Sequence, residues 1–167
     1  MRLVRQPVEG GLVRLSVFLI AVLLLLTSCS AGSTSRVAPG VSSGPDTQSA
    51  AAESKAVAAE LESRAWLGMT DGGRYDESWG RAASMFRAAV TEEQWRSAMD
   101  SVRAPLGPVI TRTLKAADYS RAIPGAPDGD YVTVTYATAF GQKEAAVETV
   151  VMTIDRGKWR VAGYFIR

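Results

Sequence analysis

The sequence predicts an α+β fold, three N-terminal helices packed on a four-stranded antiparallel meander. Three observations carry this expectation. Apolar residues between Ser49 and Gly107 recur at helical spacing, whereas beyond Gly107 they recur every second residue. The two patterns are segregated along the chain, which separates α+β from alternating α/β. Turn-forming Gly, Pro and Asp residues divide the second half into four short runs.

Each element has its own justification. The first helix, Ala50–Asp71, is rich in Ala, Glu, Lys and Leu, places Ala58, Leu61 and Ala65 on one face, and stops at Gly72-Gly73. The second runs from Tyr75 to about Ala89, with Tyr75, Trp79, Ala82 and Phe86 spaced to share a face. The third opens on Thr91-Glu92-Glu93-Gln94, where the Thr91 hydroxyl and the Gln94 side chain form a capping box. Trp95, Met99 and Val102 line it, and Pro105 to Gly107 end it. The strands are Val109–Tyr119, Tyr131–Phe140, Ala145–Ile154 and Trp159–Ile166, joined by an Ile123–Asp130 loop, a Gly141–Glu144 turn and a four-residue Asp155–Lys158 loop. One face of the sheet should meet the helices and the other stay partly open. Residues 49–167 are thus expected to form a single domain.

Composition narrows the chemistry. The chain has 167 residues, 47% hydrophobic and 22% charged, with no histidine and one cysteine. Histidine-based triads, Cys-His dyads and imidazole metal sites are excluded, as are an intrachain disulfide and a multi-cysteine metal site. No cofactor or metal is expected. Carboxylates, tyrosines, arginines and hydroxyls remain.

The N-terminus reads as an export signal. Arg2, Arg5 and Arg14 precede an apolar run from Leu15 to Leu26 that is broken only by Ser16. That run is shorter than the roughly 20 residues needed to span a bilayer. Leu26-Thr27-Ser28-Cys29 resembles the lipobox of bacterial lipoproteins. The resemblance implies cleavage after residue 28 and attachment of a diacylglyceryl group to the Cys29 sulfur, a membrane anchor made firm by two or three chains. Ser30 stands where enteric bacteria place an inner-membrane retention aspartate, so the outer membrane is favoured in a diderm cell. Residues 29–48, rich in Ser, Gly and Pro, form the expected flexible linker. The chain's formal charge of +2 lies in the leader, which holds three arginines and Glu9; 16 basic and 16 acidic residues remain after it. No electrostatic argument for nucleic acid survives.

The set Trp66-Leu67, Asp71-Gly72, Tyr75, Ser78-Trp79, Gln94-Trp95, Leu106-Gly107, Arg112, Gly129, Tyr131, Phe140, Glu148-Thr149, Trp159 and Gly163-Tyr164-Phe165-Ile166 resembles the bacterial domain of unknown function 4019 (DUF4019). The resemblance covers Glu60 to Arg167 and implies a fold but no activity. The layout is also similar to cystatin-like and nuclear-transport-factor-like (NTF2-like) folds, in which helices lie in the concavity of a curved sheet.

The aromatics Trp66, Tyr75, Trp79, Phe86, Trp95 and Trp159 are expected in the core, with one or two free to line a ligand. Alternation places Glu148 on one face with Ala146, Val150, Met152 and Ile154, and Arg112 between Ile110 and Leu114. A Glu148–Arg112 ion pair is the preferred reading. The other is an acid/base enzyme using Glu148 or Asp71 with a tyrosine such as Tyr75 or Tyr136. Asp118 is a third acid candidate, Asp71 is accounted for by its turn, and Asp128-Gly129-Asp130 lacks calcium-loop spacing. The expected function is a non-catalytic envelope lipoprotein, bound to the membrane through its lipid, that recognises an envelope protein or a small apolar ligand. The two classes differ in whether a pocket reaches an acid without a cationic partner.

Overall fold

A computed structural model of the chain describes residues 45–167. The expected leader, Cys29 and the greater part of the linker lie outside the described residues. The helices are α1 (Pro45–Asp71), α2 (Tyr75–Arg81), α3 (Ser84–Ala89) and α4 (Glu92–Val102), followed by a 3-10 turn at Ala104–Leu106. The strands are β1 (Val109–Ser120), β2 (Tyr131–Phe140), β3 (Lys143–Asp155) and β4 (Lys158–Ile166), hydrogen-bonded in the order β1-β2-β3-β4 and antiparallel throughout. The fold is therefore α+β, with four α-helices among the described residues rather than three. No helix among the described residues is long and apolar enough to cross a membrane.

Helix α1 starts at Pro45, not Ala50, so the last residues assigned to the linker are helical. Proline suits this end because its missing N–H has no intrahelical acceptor there. The helix contacts all four strands. It buries Ala56, Ala59, Ser63, Trp66, Leu67 and Thr70. The expected apolar face is not this one: Ala58, Leu61 and Ala65 are exposed, Leu61 by 66%. Alanine is spread all round α1, so its own periodicity selects no face; the sheet takes the side carrying the bulky Trp66 and Leu67. At the C-terminus Arg74 N–H donates to Met69 O (2.9 Å) and Gly73 N–H to Thr70 O (3.1 Å), a Schellman motif with Gly73 at φ 69°.

The expected second helix is split. Ala82 and Ala83 are extended, with ψ of 164° and 152°. Both are buried, and Ala83 N–H donates to Val161 O on β4 at 2.8 Å. Two adjacent alanines let the backbone reach the sheet edge, and that bond replaces an intrahelical one. In α4 the capping box is present, Gln94 N–H to Thr91 Oγ1 at 3.2 Å and Thr91 N–H to Gln94 Oε1 at 3.0 Å. Trp95 and Met99 are buried, whereas Val102, expected beside them, is exposed.

Burial in β2 alternates cleanly: Val132, Val134, Tyr136, Thr138 and Phe140 face the helices, and Thr133, Thr135, Ala137 and Ala139 face away. Strand β1 is an edge with two register shifts, and Ile110 and Leu114 are exposed on it. Ile154, expected to face inward, is also exposed, one residue from the end of β3. The β3–β4 connection is shorter than expected. Asp155 pairs with Lys158, leaving Arg156 and Gly157 at φ 52° and 75°, the signs of a type I′ turn.

Candidate functional site

The inward faces of β1, β2 and β3 bring charges together where apolar packing would be expected. Glu148 sits on β3 with no solvent exposure. Arg112 reaches it across β2, with Nε to Oε2 at 2.7 Å and Nη2 to Oε1 at 3.2 Å. Thr138 donates to Oε2 and Tyr164 to Oε1, each at 2.5 Å. Four donors thus meet the roughly four lone-pair directions of one carboxylate.

The Schellman turn places Asp71 over the same guanidinium. Arg112 Nη1 donates to Asp71 Oδ2 at 2.6 Å and Nη2 to Oδ1 at 3.0 Å; Arg103 Nη2 donates to Oδ1 at 2.9 Å. Arg103 follows α4, is 95% buried by its side chain's 5% exposure, lies 4.5 Å over the Phe140 ring and donates to Gly107 O at 2.7 Å. Its Nε has no hydrogen-bond partner among the described residues. Two guanidiniums and two carboxylates balance, which is how charge is tolerated under a sheet. Burial works to raise the Asp71 carboxyl, but the hydrogen bonds from Arg112 and Arg103 outweigh it and hold Asp71 below the usual carboxylate value. Burial likewise opposes the Arg112 charge, and the bonds to Asp71 and Glu148 more than offset it. Burial and the neighbouring Glu148 charge hold the Tyr164 phenol far above its ordinary value.

Of the residues singled out from sequence, Glu148, Arg112 and Asp71 come together. Asp71, explained above by turn formation alone, is a full member of the network. Tyr136 belongs to a different cluster, with its hydroxyl 2.5 Å from Ser63 Oγ and donating to Glu60 at 3.2 Å. Burial pushes its phenol up to about 12. Tyr75 is half-buried against the apolar core, and Asp118 is exposed on β1. Asp130 pairs with Lys55 at 2.8 Å, tying the β1–β2 loop to α1. Cys29 lies outside the described residues. Thr138, Tyr164 and Arg103 were missed. The signal for Thr138 is a hydroxyl at an inward position between Tyr136 and Phe140; Arg103 has none, because only the chain reversal after α4 brings it under the sheet.

Tyr164 joins this network to an aromatic cluster, 5.4 Å from Trp66 and 6.3 Å from Trp95 between ring centroids. Ser78 satisfies both indoles, its carbonyl accepting from Trp66 at 2.7 Å and its hydroxyl from Trp95 at 2.9 Å. These rings are core. Among the described residues no three metal-ligating side chains cluster.

A groove of about 620 Å³ opens elsewhere, between the exposed face of α1 and the β3–β4 hairpin. Leu61, Ala65 and Met69 form one wall and Met152, Trp159 and Val161 the other. Arg81, Lys158 and Arg160 stand at its rim against Glu62. The Ala58-Leu61-Ala65 face that the sheet leaves uncovered is therefore a groove wall. A second hollow, about 450 Å³, lies on the open face of the sheet near Thr113, Ala137 and Val147.

Comparison with known proteins matches residues 62–164 to a family model described as a protein of unknown function, DUF4019. No curated protein and no solved structure matches the chain. The match spans more than half of the chain and takes in α1 from Glu62 onward, every later helix and all of the sheet through Tyr164, so the chain belongs to the DUF4019 family.

Proposed function

We propose that the protein is a bacterial envelope lipoprotein, held at a membrane through a lipid on Cys29, whose α+β domain is a binding module and not an enzyme. The observation that carries the second half is the state of Glu148. It is fully buried and engaged by Arg112, Thr138 and Tyr164, so its carboxylate oxygens are taken up by donors of the protein itself. The groove that is open is lined chiefly by apolar side chains, which suits recognition of an apolar ligand or a partner surface. The first half rests on the lipobox resemblance at Leu26–Cys29, with the outer membrane favoured by Ser30. In this reading the layout is of the cystatin-like or NTF2-like kind, with α1 across the sheet.

Metabolic labelling with palmitate in a bacterial host tests the anchor. The wild-type chain should take up label and fractionate with membranes, and Cys29→Ala should lose both. Equal incorporation in the two would refute the anchor.

A further inference from the structure

We infer that the groove between α1 and the β3–β4 hairpin binds a single-chain anionic amphiphile of the fatty-acid class, taken up as a free molecule rather than as part of a bilayer. The inference rests on the binding-module reading and names its ligand.

Shape, composition and charge converge on this class. The wall contributed by α1 runs from Ala58 to Met69, about 16 Å of helix at 1.5 Å per residue, so the groove is long. Leu61 and Trp159 present apolar surface to it, and Leu61 is exposed although it lies on the helix that organises the core. A groove of about 620 Å³ falls within the size range of small-molecule sites. Each methylene buried against such walls contributes favourably, which suits an alkyl chain over a compact polar ligand.

The rim selects the head group. Three cations, Arg81, Lys158 and Arg160, border the groove with one acid, Glu62. Arg81 is paired with Glu77 at 3.0 Å. Arg160 donates to the Arg81 carbonyl oxygen at 3.0 Å, and neither it nor Lys158 forms an ion pair among the described residues. A carboxylate at the mouth would complement Lys158 and Arg160, whereas a cationic or neutral head would not. Trp159 and Trp66, both lining the groove, supply an intrinsic reporter.

The test uses the processed full-length protein in phosphatidylcholine nanodiscs and follows tryptophan quenching by 12-bromododecanoate, whose heavy atom quenches only at short range. Saturable quenching is expected. Leu61→Glu, an exposed substitution that puts a charge on the apolar wall, should abolish it. Lys158→Glu should weaken it by about fivefold, and 12-bromododecanol should bind more weakly than the acid by a similar factor. Equal binding of acid and alcohol, unchanged in Lys158→Glu, would overturn the anionic head while leaving an apolar-ligand module. No saturable quenching by either probe would overturn the inference and leave only the protein-partner form of the functional reading. Quenching that persists undiminished in Leu61→Glu would overturn the groove as the site.

Discussion

At the scale of single residues the domain is organised by an expense that other contacts must offset, a carboxylate and a guanidinium buried under a sheet. Such a pair adds little over apolar packing, but removing one partner costs about 3–5 kcal/mol because it strands the other charge. Glu148→Ala should therefore be among the most destabilising substitutions in the chain. Asp71 gives the pH signature. Its folded value lies below its unfolded one near 3.9, so its contribution is complete above that pH and is lost as pH falls through the lower folded value. Urea unfolding of wild type between about pH 5 and 2 should show stability falling with acid. Asp71→Asn should be less stable at pH 7 and should fall less steeply in the same window; parallel curves would contradict the role assigned to Asp71. Alternation in β1 and β3 makes the Arg112–Glu148 pair readable from sequence. The third and fourth members of the network were not, because Asp71 and Arg103 arrive from the ends of helices and not from strands.

At the scale of elements, two of the departures from sequence expectation lie at β4 and its hairpin. The break at Ala82-Ala83 has no local cause; helix propensity favours alanine there. A backbone bond to Val161 overrides it. The β3–β4 hairpin shows the opposite case, in which a tight turn is kept with one residue poorly suited to it. Arg156 occupies the left-handed region at φ 52°, which costs a side-chain-bearing residue about 1 kcal/mol or more, and asparagine less. Arg156→Asn should raise stability by about 0.5–1 kcal/mol, read as a shift of the denaturant midpoint with unchanged slope. A lowered midpoint would show that Arg156 makes a contact worth more than the turn's preference. The capping box at Thr91 and the stop at Gly72-Gly73, by contrast, were legible outright, because each is a local pattern of hydrogen-bonding side chains or glycines and needs no partner from elsewhere in the chain.

At the scale of the whole molecule, α1 lies across four strands and Tyr164 couples the aromatic cluster to the charge network, so helices and sheet share one core. Unfolding should then be a single transition, with tryptophan fluorescence, which reports Trp66 and Trp95 in the core, coinciding with far-ultraviolet dichroism. Two separated transitions would mean that helices and sheet are independent units. The sequence by itself determined the α+β class and the four strands with their antiparallel order, because alternation, capping and turn chemistry act within a few residues of one another. It also determined that Arg112 and Glu148 share a face. Only the tertiary structure decided which side of α1 is core and which is groove, where the second helix breaks, and that Asp71 and Arg103 close the ring of charges. Those outcomes depend on which surfaces the sheet presents to each helix, a competition between burial sites far apart in the chain that no local period encodes.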